Sequence, residues 1–235
     1  MKIQSSVALV SGANRGLGAA FVRGLLAGGA AKVYAGARDP NTVNVPGAVP
    51  VQLDVTRPEQ IAHLARELTD VTLLVNNAGI SEIGPVLATS AIDSLRRQFD
   101  TNTIGPLRLA QAFAPVLAGN GGGAVVSVLS ALSWLTLPGR TGAYSASKAA
   151  GWALSNALRH ELKSQHTQLL SLHAGFIDTD MARHVPGPKS TPEEIVRQTL
   201  AALEAGESEL LADAVSREVH RGLTAERPVY LGTPE

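Results

Sequence analysis

The sequence predicts a doubly wound α/β fold: one parallel sheet with helices on both faces, three layers in αβα order, in a single domain. Three observations predict it. From Val7 to Ala212, short apolar runs of strand length alternate with longer stretches of helical period. Such alternation favours parallel strands joined by helical crossovers. The first apolar run leads straight into a glycine turn and then a helix, from Val7 to Gly18. The residues with chemical potential, Asn76, Ser130 and Tyr144 among them, follow strands or open the next helix, and ligands in such sheets bind at the carboxyl ends of the strands.

Each element has its reason. Val7 to Val10 is a buried strand, and Gly16 to Ala27 repeats Leu17, Ala20, Phe21, Gly24 and Leu25 with a helical period until Gly28-Gly29 ends it. Lys32 to Ala35 is the second strand. Three prolines between Pro40 and Pro50 leave little room for a full helix. Val51 to Val55 reads as the third strand. Pro58 opens a helix to about Leu68, with Thr56 as its cap. Thr72 to Val75 is a fourth strand, ending in Asn76-Asn77-Ala78-Gly79. A long helical stretch follows from Ala91 to Leu117, in which Gly105-Pro106 should produce a bend. Ala124 to Leu129, Gln168 to His173 and Glu209 to Ala212 are the remaining strands. Tyr144 to Lys163 and Pro192 to Leu203 are helices, and the tail from about 213 to 235 is partly helical.

The glycine turn has the spacing G-x-x-x-G-x-G at Gly12, Gly16 and Gly18. This departs from the G-x-G-x-x-G of the Rossmann dinucleotide fingerprint. It offers the same device nonetheless: unpartnered N–H groups and the positive end of a helix dipole, where a phosphate is held. A Rossmann-type sheet is the expected fold.

Composition excludes several function classes. The 235 residues suit one α/β domain. Twenty basic residues balance twenty acidic ones, so the basic footprint of a nucleic-acid binder is missing. No cysteine is present to form a disulfide or a thiolate metal site. His63, His160, His166, His173, His184 and His220 show no metal-ligand spacing, so no metal is expected. No apolar run is long enough for a membrane span and no signal peptide precedes the first strand, so no membrane association and a cytoplasmic location are expected.

Tyr144-Ser-Ala-Ser-Lys148 places a phenol and an amine on one helix face. A phenol titrates near ~10 in water, and a neighbouring ammonium lowers that value. The pair could then pass a proton to or from a carbonyl oxygen. Asp178 and Asp180, near Met181, read as caps of a short helix, and Trp152 as a packing residue.

Taken in order, the glycine turn, Asn76-Asn77-Ala78-Gly79, Asn102, Ser130 and Tyr144-x-x-x-Lys148 resemble the short-chain dehydrogenase/reductase family, from Val7 to about Asp213. The resemblance implies that Tyr144 is the acid in reduction and the base in oxidation. Lys148 lowers its pKa and holds the nicotinamide ribose, and Ser130 holds the substrate oxygen. Asn102 kinks its helix and holds a water that links Lys148 to solvent. The cofactor would rest on Gly12, Asn14, Arg15, Gly16, Leu17 and Gly18, then on Asp54 and Val55, with Asp54 at the adenine. Asn76, Ala78 and Gly79 would support it, and Gly175, Ile177 and Thr179 would close over it.

The chain departs from the family pattern in two places. Ser130 lies fourteen residues before Tyr144 rather than thirteen, with Ser133 as the other candidate. Ala174 stands where the family has proline, which puts local rigidity in question. Arg15 and Arg38 flank the expected adenosine phosphate, and no acid stands at Gly36 or Ala37 to accept ribose hydroxyls. Arginine pairs with a 2′-phosphate, so NADP(H) is the expected cofactor. A lid is expected over about 180–191. Leu132, Trp134 and Met181 are the candidate substrate contacts, suited with Ile80 and Leu135 to an apolar or aromatic ketone or aldehyde. The expected activity is that of an NADP-dependent carbonyl reductase on a small molecule, in a homodimer or homotetramer. A cofactor-binding sensor without turnover is the alternative. A sugar-nucleotide epimerase would need a larger C-terminal substrate domain than this chain supplies.

Overall fold

The central strands of this sheet are apolar on both sides, as parallel strands covered by helices must be. The computed structural model describes residues 1–232, so residues 233–235 of the expected tail lie outside the described residues. Seven strands form one sheet: β1 (Val7–Ser11), β2 (Lys32–Ala37), β3 (Val49–Gln52), β4 (Leu73–Asn76), β5 (Gly123–Val128), β6 (Thr167–His173) and β7 (Glu209–Leu211). Their order is β3-β2-β1-β4-β5-β6-β7 and every pairing is parallel. The winding reverses between β1 and β4, which opens a crevice at their carboxyl ends.

The helices are α1 (Gly16–Ala27), α2 (Pro58–Glu67), α3 (Ala91–Phe99), α4 (Gly105–Gly119), α5 (Gly142–Leu162), α6 (Pro192–Ala205) and α7 (Ala214–Gly222). Alternate strand residues feed two cores. Ala8, Val10, Leu73, Val75, Val126 and Leu172 meet Phe21 and Leu25 of α1 and Ile195 and Leu203 of α6. Leu9, Leu74, Val125 and Leu169 meet Leu64 of α2, Phe113 and Leu117 of α4 and Leu162 of α5. Gly24 lets α1 approach α6 closely, since a Cβ there would stand 2.5 Å from Val196.

Four local expectations are corrected. The third strand forms at Val49–Gln52, because β2 pairs Tyr34 with Val49 and Ala37 with Gln52. Pro50 is tolerated since β3 is an edge. One further bond, from the N–H of Leu53 to Ala37, leaves Asp54 and Val55 past the strand end. Thr56 does not cap α2: Arg57 holds that position without a side-chain bond, and the Thr56 hydroxyl donates to Asp54 instead. The long helix is broken before Gly105, by a π-helical turn at Asp100–Ile104. Pro106 has no N–H and its ring crowds the carbonyl four residues back, which is that of Asn102. The first turn after β6 is led by Thr179 without a side-chain bond, so neither Asp178 nor Asp180 caps it.

The tail carries α7, opened by a capping box between Asp213 and Ser216. The expected lid begins in the 3-10 turn Asp180–Ala182. Its base is pinned where the N–H of Asp178 donates to Ser190 at 2.9 Å and that of Ser190 to Phe176 at 3.0 Å. Among the described residues no helix is long and apolar enough to cross a membrane, and no group of histidines and carboxylates could hold a metal.

Candidate active site

The glycine turn between β1 and α1 is as tight as its sequence requires. Gly12 and Gly16 have φ of +65° and +52°, angles that favour glycine. A Cβ on Gly18 would lie 2.1 Å from the carbonyl oxygen of Gly12 and 2.6 Å from Nδ2 of Asn77. Asn77 holds the turn from β4: its amide donates to the carbonyls of Ser11 and Gly12 at 2.9 and 3.1 Å. The Ser11 hydroxyl accepts from the N–H groups of Asn77 and Ala78. Leu17 points into the core and Val55 is buried against Gly105, so only their backbones face the crevice side. Asn14 is half-buried in the turn. Thr179 rests against Gly16, whose Cβ would be 3.2 Å away, so the glycine turn and the lid base meet. The N–H of Gly175 donates to Asp213 at 2.6 Å, and a Cβ on Gly175 would stand 2.8 Å from Val215. This carboxylate and helix fix the segment in which Ala174 replaces a proline. Ile177 pairs with Ser190 at the lid base.

The two arginines differ. Arg15 is exposed and pairs with Asp180 at 3.1 Å, and Asp180 also pairs with Arg183. Arg38 is exposed after β2, and its side chain has no partner among the described residues. Asp39 accepts from the N–H and the amide of Asn41 through one oxygen and so caps the 3-10 turn Pro40–Thr42. Asp54 accepts the N–H and hydroxyl of Thr56 through one oxygen.

Asn102 lies in the π-turn, 3% exposed. Its amide pairs with both backbone groups of Ile80, at 2.8 and 2.9 Å, and donates to Ser147 of α5 at 3.0 Å. One turn earlier, buried Gln98 does the same for Glu82. Two helix amides therefore replace the missing neighbouring strand for residues 80–82. Asn76 donates to Pro106 at 3.3 Å, while its carbonyl oxygen is buried without a protein partner. Gly79 borders both Asn102 and Lys148: a Cβ there would be 3.3 Å from Oδ1 of Asn102 and 3.8 Å from Nζ of Lys148.

Ser130 stands just past β5 and opens the 3-10 turn Ala131–Ser133. Its hydroxyl accepts from the N–H of Leu132 at 3.1 Å. The Ser133 hydroxyl accepts from the N–H of Ser130, so Ser133 is engaged in the turn. Tyr144, in the first turn of α5, is pushed up to about 12 by burial, with the Ser130 hydroxyl pulling the other way. Lys148 donates to the carbonyl of Val128 at 2.8 Å and lies 5.9 Å from the centre of the Tyr144 ring. Burial drives its own pKa down to about 8. The expected lowering of Tyr144 by Lys148 is therefore not found. Desolvation outweighs the distant ammonium, which is turned toward the strand end.

A family model for short chain dehydrogenases matches residues 6–189. The chain belongs to that family. This short-chain dehydrogenase is similar to a short chain dehydrogenase from Burkholderia cenocepacia J2315 in complex with NADP, at 41% identity, TM-score 0.94 and full coverage of both chains. It is also similar to a short chain dehydrogenase/reductase from Burkholderia phymatum in complex with NAD, at 25% identity and TM-score 0.84, covering 100% of this chain and 99% of that one. Among curated proteins, the uncharacterized oxidoreductase YbbO of Escherichia coli (strain K12) is 31% identical over 97% of this chain and 84% of its own. The chain spans about half the length of some other curated relatives it matches.

Trp134, a candidate substrate contact of this short-chain dehydrogenase, is half-buried and held by other rings. Its ring stacks on His173 at 4.0 Å and meets Trp152 and His220 edge-on at 6.0 and 5.1 Å. Trp152, expected to serve packing or an interface, is half-buried and meets Trp134. Asn77, Gln98 and His173 were missed. Asn77 was legible as the second amide of the motif, whereas His173 has no local signal, because its partners lie on other elements. Met181 is exposed and Leu132 half-buried.

Proposed function

We propose that this protein is an NADP(H)-dependent carbonyl reductase, reversible as an alcohol dehydrogenase, acting on an apolar or aromatic ketone or aldehyde. The observation that carries the proposal is the convergence of Ser130, Tyr144 and Lys148 beside Gly79 at the carboxyl edge of the sheet. The Gly12 to Gly18 turn fits a dinucleotide: its left-handed glycines bring the backbone tightly to the N-terminus of α1, whose free N–H groups suit a phosphate. When bound, a nicotinamide supplies or accepts the hydride. The substrate oxygen then needs a proton, and Tyr144 is the donor, with Ser130 holding the oxygen by a hydrogen bond. A phenol held near 12 stays protonated at neutral pH, which suits reduction. Lys148 holds the ribose.

The preference for NADP(H) rests on Arg38, whose side chain has no partner among the described residues, and on Gly36 and Ala37, which offer no acid to the ribose. Arg15 completes the phosphate site on leaving Asp180. Ile80, Leu132 and Leu135 are half-buried and uncharged around the crevice, which supports an apolar substrate. The protein works as a homodimer or homotetramer, a reading supported by Ile92 and Ile104, exposed on α3 and the π-turn. Light scattering at micromolar concentration showing only a 24.4 kDa species refutes that assembly.

The test is NADPH oxidation against a panel of aldehydes and ketones. Turnover with apolar members supports the proposal. Binding of NADPH without turnover of any member leaves the silent sensor instead.

A further inference from the structure

His173 is wholly buried at the end of β6, and its surroundings are unusual for a core residue. Its Nδ1 lies 3.1 Å from the carbonyl oxygen of Ser130. Its Nε2 lies 3.3 Å from a carboxylate oxygen of Glu209 on β7, close enough for an ion pair though off the direction of a good hydrogen bond. Its face is covered by the stacked Trp134 ring, and His220 of α7 touches that ring from the other element. A carbonyl oxygen can only accept, so Nδ1 must carry the proton in that contact.

We propose that His173 is a positioning residue: through Nδ1–H it holds the Ser130 carbonyl and so fixes the direction in which the Ser130 hydroxyl faces Tyr144. Ser130 lies two residues beyond Val128, the end of β5; Leu129 before it still donates to Leu172, but the N–H of Ser130 has left the ladder for the Ser133 hydroxyl. Two of its ties come from its own turn, Ser133 at its N–H and Leu132 at its hydroxyl, and move with that turn. The tie to His173 spans 43 residues and fastens Ser130 itself to the sheet. The N–H of Ala131, bonded to Ala174 at 2.9 Å, fastens the next residue. Glu209 steadies the far side of the ring, and its carboxyl is held below the usual range, first by His173. Trp134 fills the stacking face.

The inference rests on Ser130 holding the substrate oxygen, and the test separates the two. The variants are Ser130→Ala, His173→Leu, His173→Asn and the double variant Ser130→Ala/His173→Leu, assayed with NADPH and the best carbonyl of the panel. His173→Leu is expected to lower kcat about tenfold with NADPH affinity unchanged, the effect of one misplaced hydrogen bond. His173→Asn keeps a short donor toward Ser130 and is expected to stay within about threefold of wild type. In the Ser130→Ala background, His173→Leu is expected to change kcat by less than about twofold, because groups that act as a unit are not additive. Near-wild-type turnover in Ser130→Ala overturns the role of Ser130 and the inference with it. Collapse in Ser130→Ala, with His173→Leu costing the same factor in both backgrounds, overturns the inference alone. The ring can also be read without substrate or variant. In long-range nitrogen NMR spectra of the wild-type protein, Nδ1 is expected to carry a proton, as the Ser130 carbonyl requires, and an unprotonated Nδ1 contradicts the proposal.

Discussion

Lys148 and Val128 are joined by a 2.8 Å hydrogen bond between the buried ammonium and the carbonyl of the last residue of β5. The helix α5 brings the amine to the sheet edge, and the strand end fixes it there. Burial lowers its pKa from 10.5 to about 8. Below about 8 the amine is protonated in both folded and unfolded chains, and the folded chain carries the whole cost of burying the charge. As pH rises from about 8 to 10.5 the folded chain loses its proton first, and stability rises.

The expected outcome is a pH-dependent gap between wild type and Lys148→Met in denaturant unfolding. Across that window the wild type gains on the variant by at most about 3.5 kcal/mol, at ~1.4 kcal/mol per pKa unit. A gap that does not change with pH contradicts a depressed lysine.

Tyr144 is expected to titrate late in the free protein. The difference in ultraviolet absorbance between wild type and Tyr144→Phe should show no phenolate forming near ~10, the ordinary value, and should rise only toward about 12. Ionisation at or below the ordinary value would mean that Lys148 acts on the phenol directly.

The glycine turn makes a sharper prediction about folding. Gly18→Ala sets a Cβ 2.1 Å from the Gly12 carbonyl, so it should cost about 2 kcal/mol or more and weaken NADPH binding. Gly119→Ala, exposed at the end of α4 with nothing within 4 Å, should be neutral or stabilise by about 0.4–1 kcal/mol. Thermal melts and cofactor titration of both variants check this, and equal effects contradict the packing argument.

Most of the sheet was legible because buried strands and amphipathic helices differ in period. Gly16–Ala27 was readable to the residue, since the glycine turn and Gly28-Gly29 bracket it. The third strand was misread by two or three residues. Leu53 and Val55 look like strand residues, yet they are buried by packing after pairing has stopped. Gly105-Pro106 signalled a bend, the family resemblance placed it on Asn102, and the π-turn does fall there, because a proline acts four residues upstream. Tyr144 and Lys148 were legible as a phenol and an amine on one helix face, while Ser130 was reached only through the family resemblance. His173 and Glu209 were not legible, since their contacts depend on how β6 and β7 lie beside β5.

Arg38 is expected to set cofactor choice. Arg38→Asp removes a charged partner of the 2′-phosphate and adds repulsion, so NADPH affinity should fall about 10- to 100-fold, at roughly 1.5–3 kcal/mol for a charged hydrogen bond. NADH affinity should change little. Equal or better kcat/KM with NADH in the wild type contradicts the assignment.

The proton donor is the central claim, and Tyr144→Phe tests it most directly. The variant keeps the ring and its packing beside Ser130 and lacks only the hydroxyl. Two quantities are measured on the same preparation: NADPH oxidation with the best carbonyl of the panel, and NADPH affinity by fluorescence titration. Turnover is expected to fall by at least about 10²-fold, the scale of a lost general acid, while affinity stays near wild type. Lys148→Ala, the control, should damage both. A Tyr144→Phe enzyme that keeps more than a small fraction of wild-type turnover contradicts the account, because the proton then comes from another group.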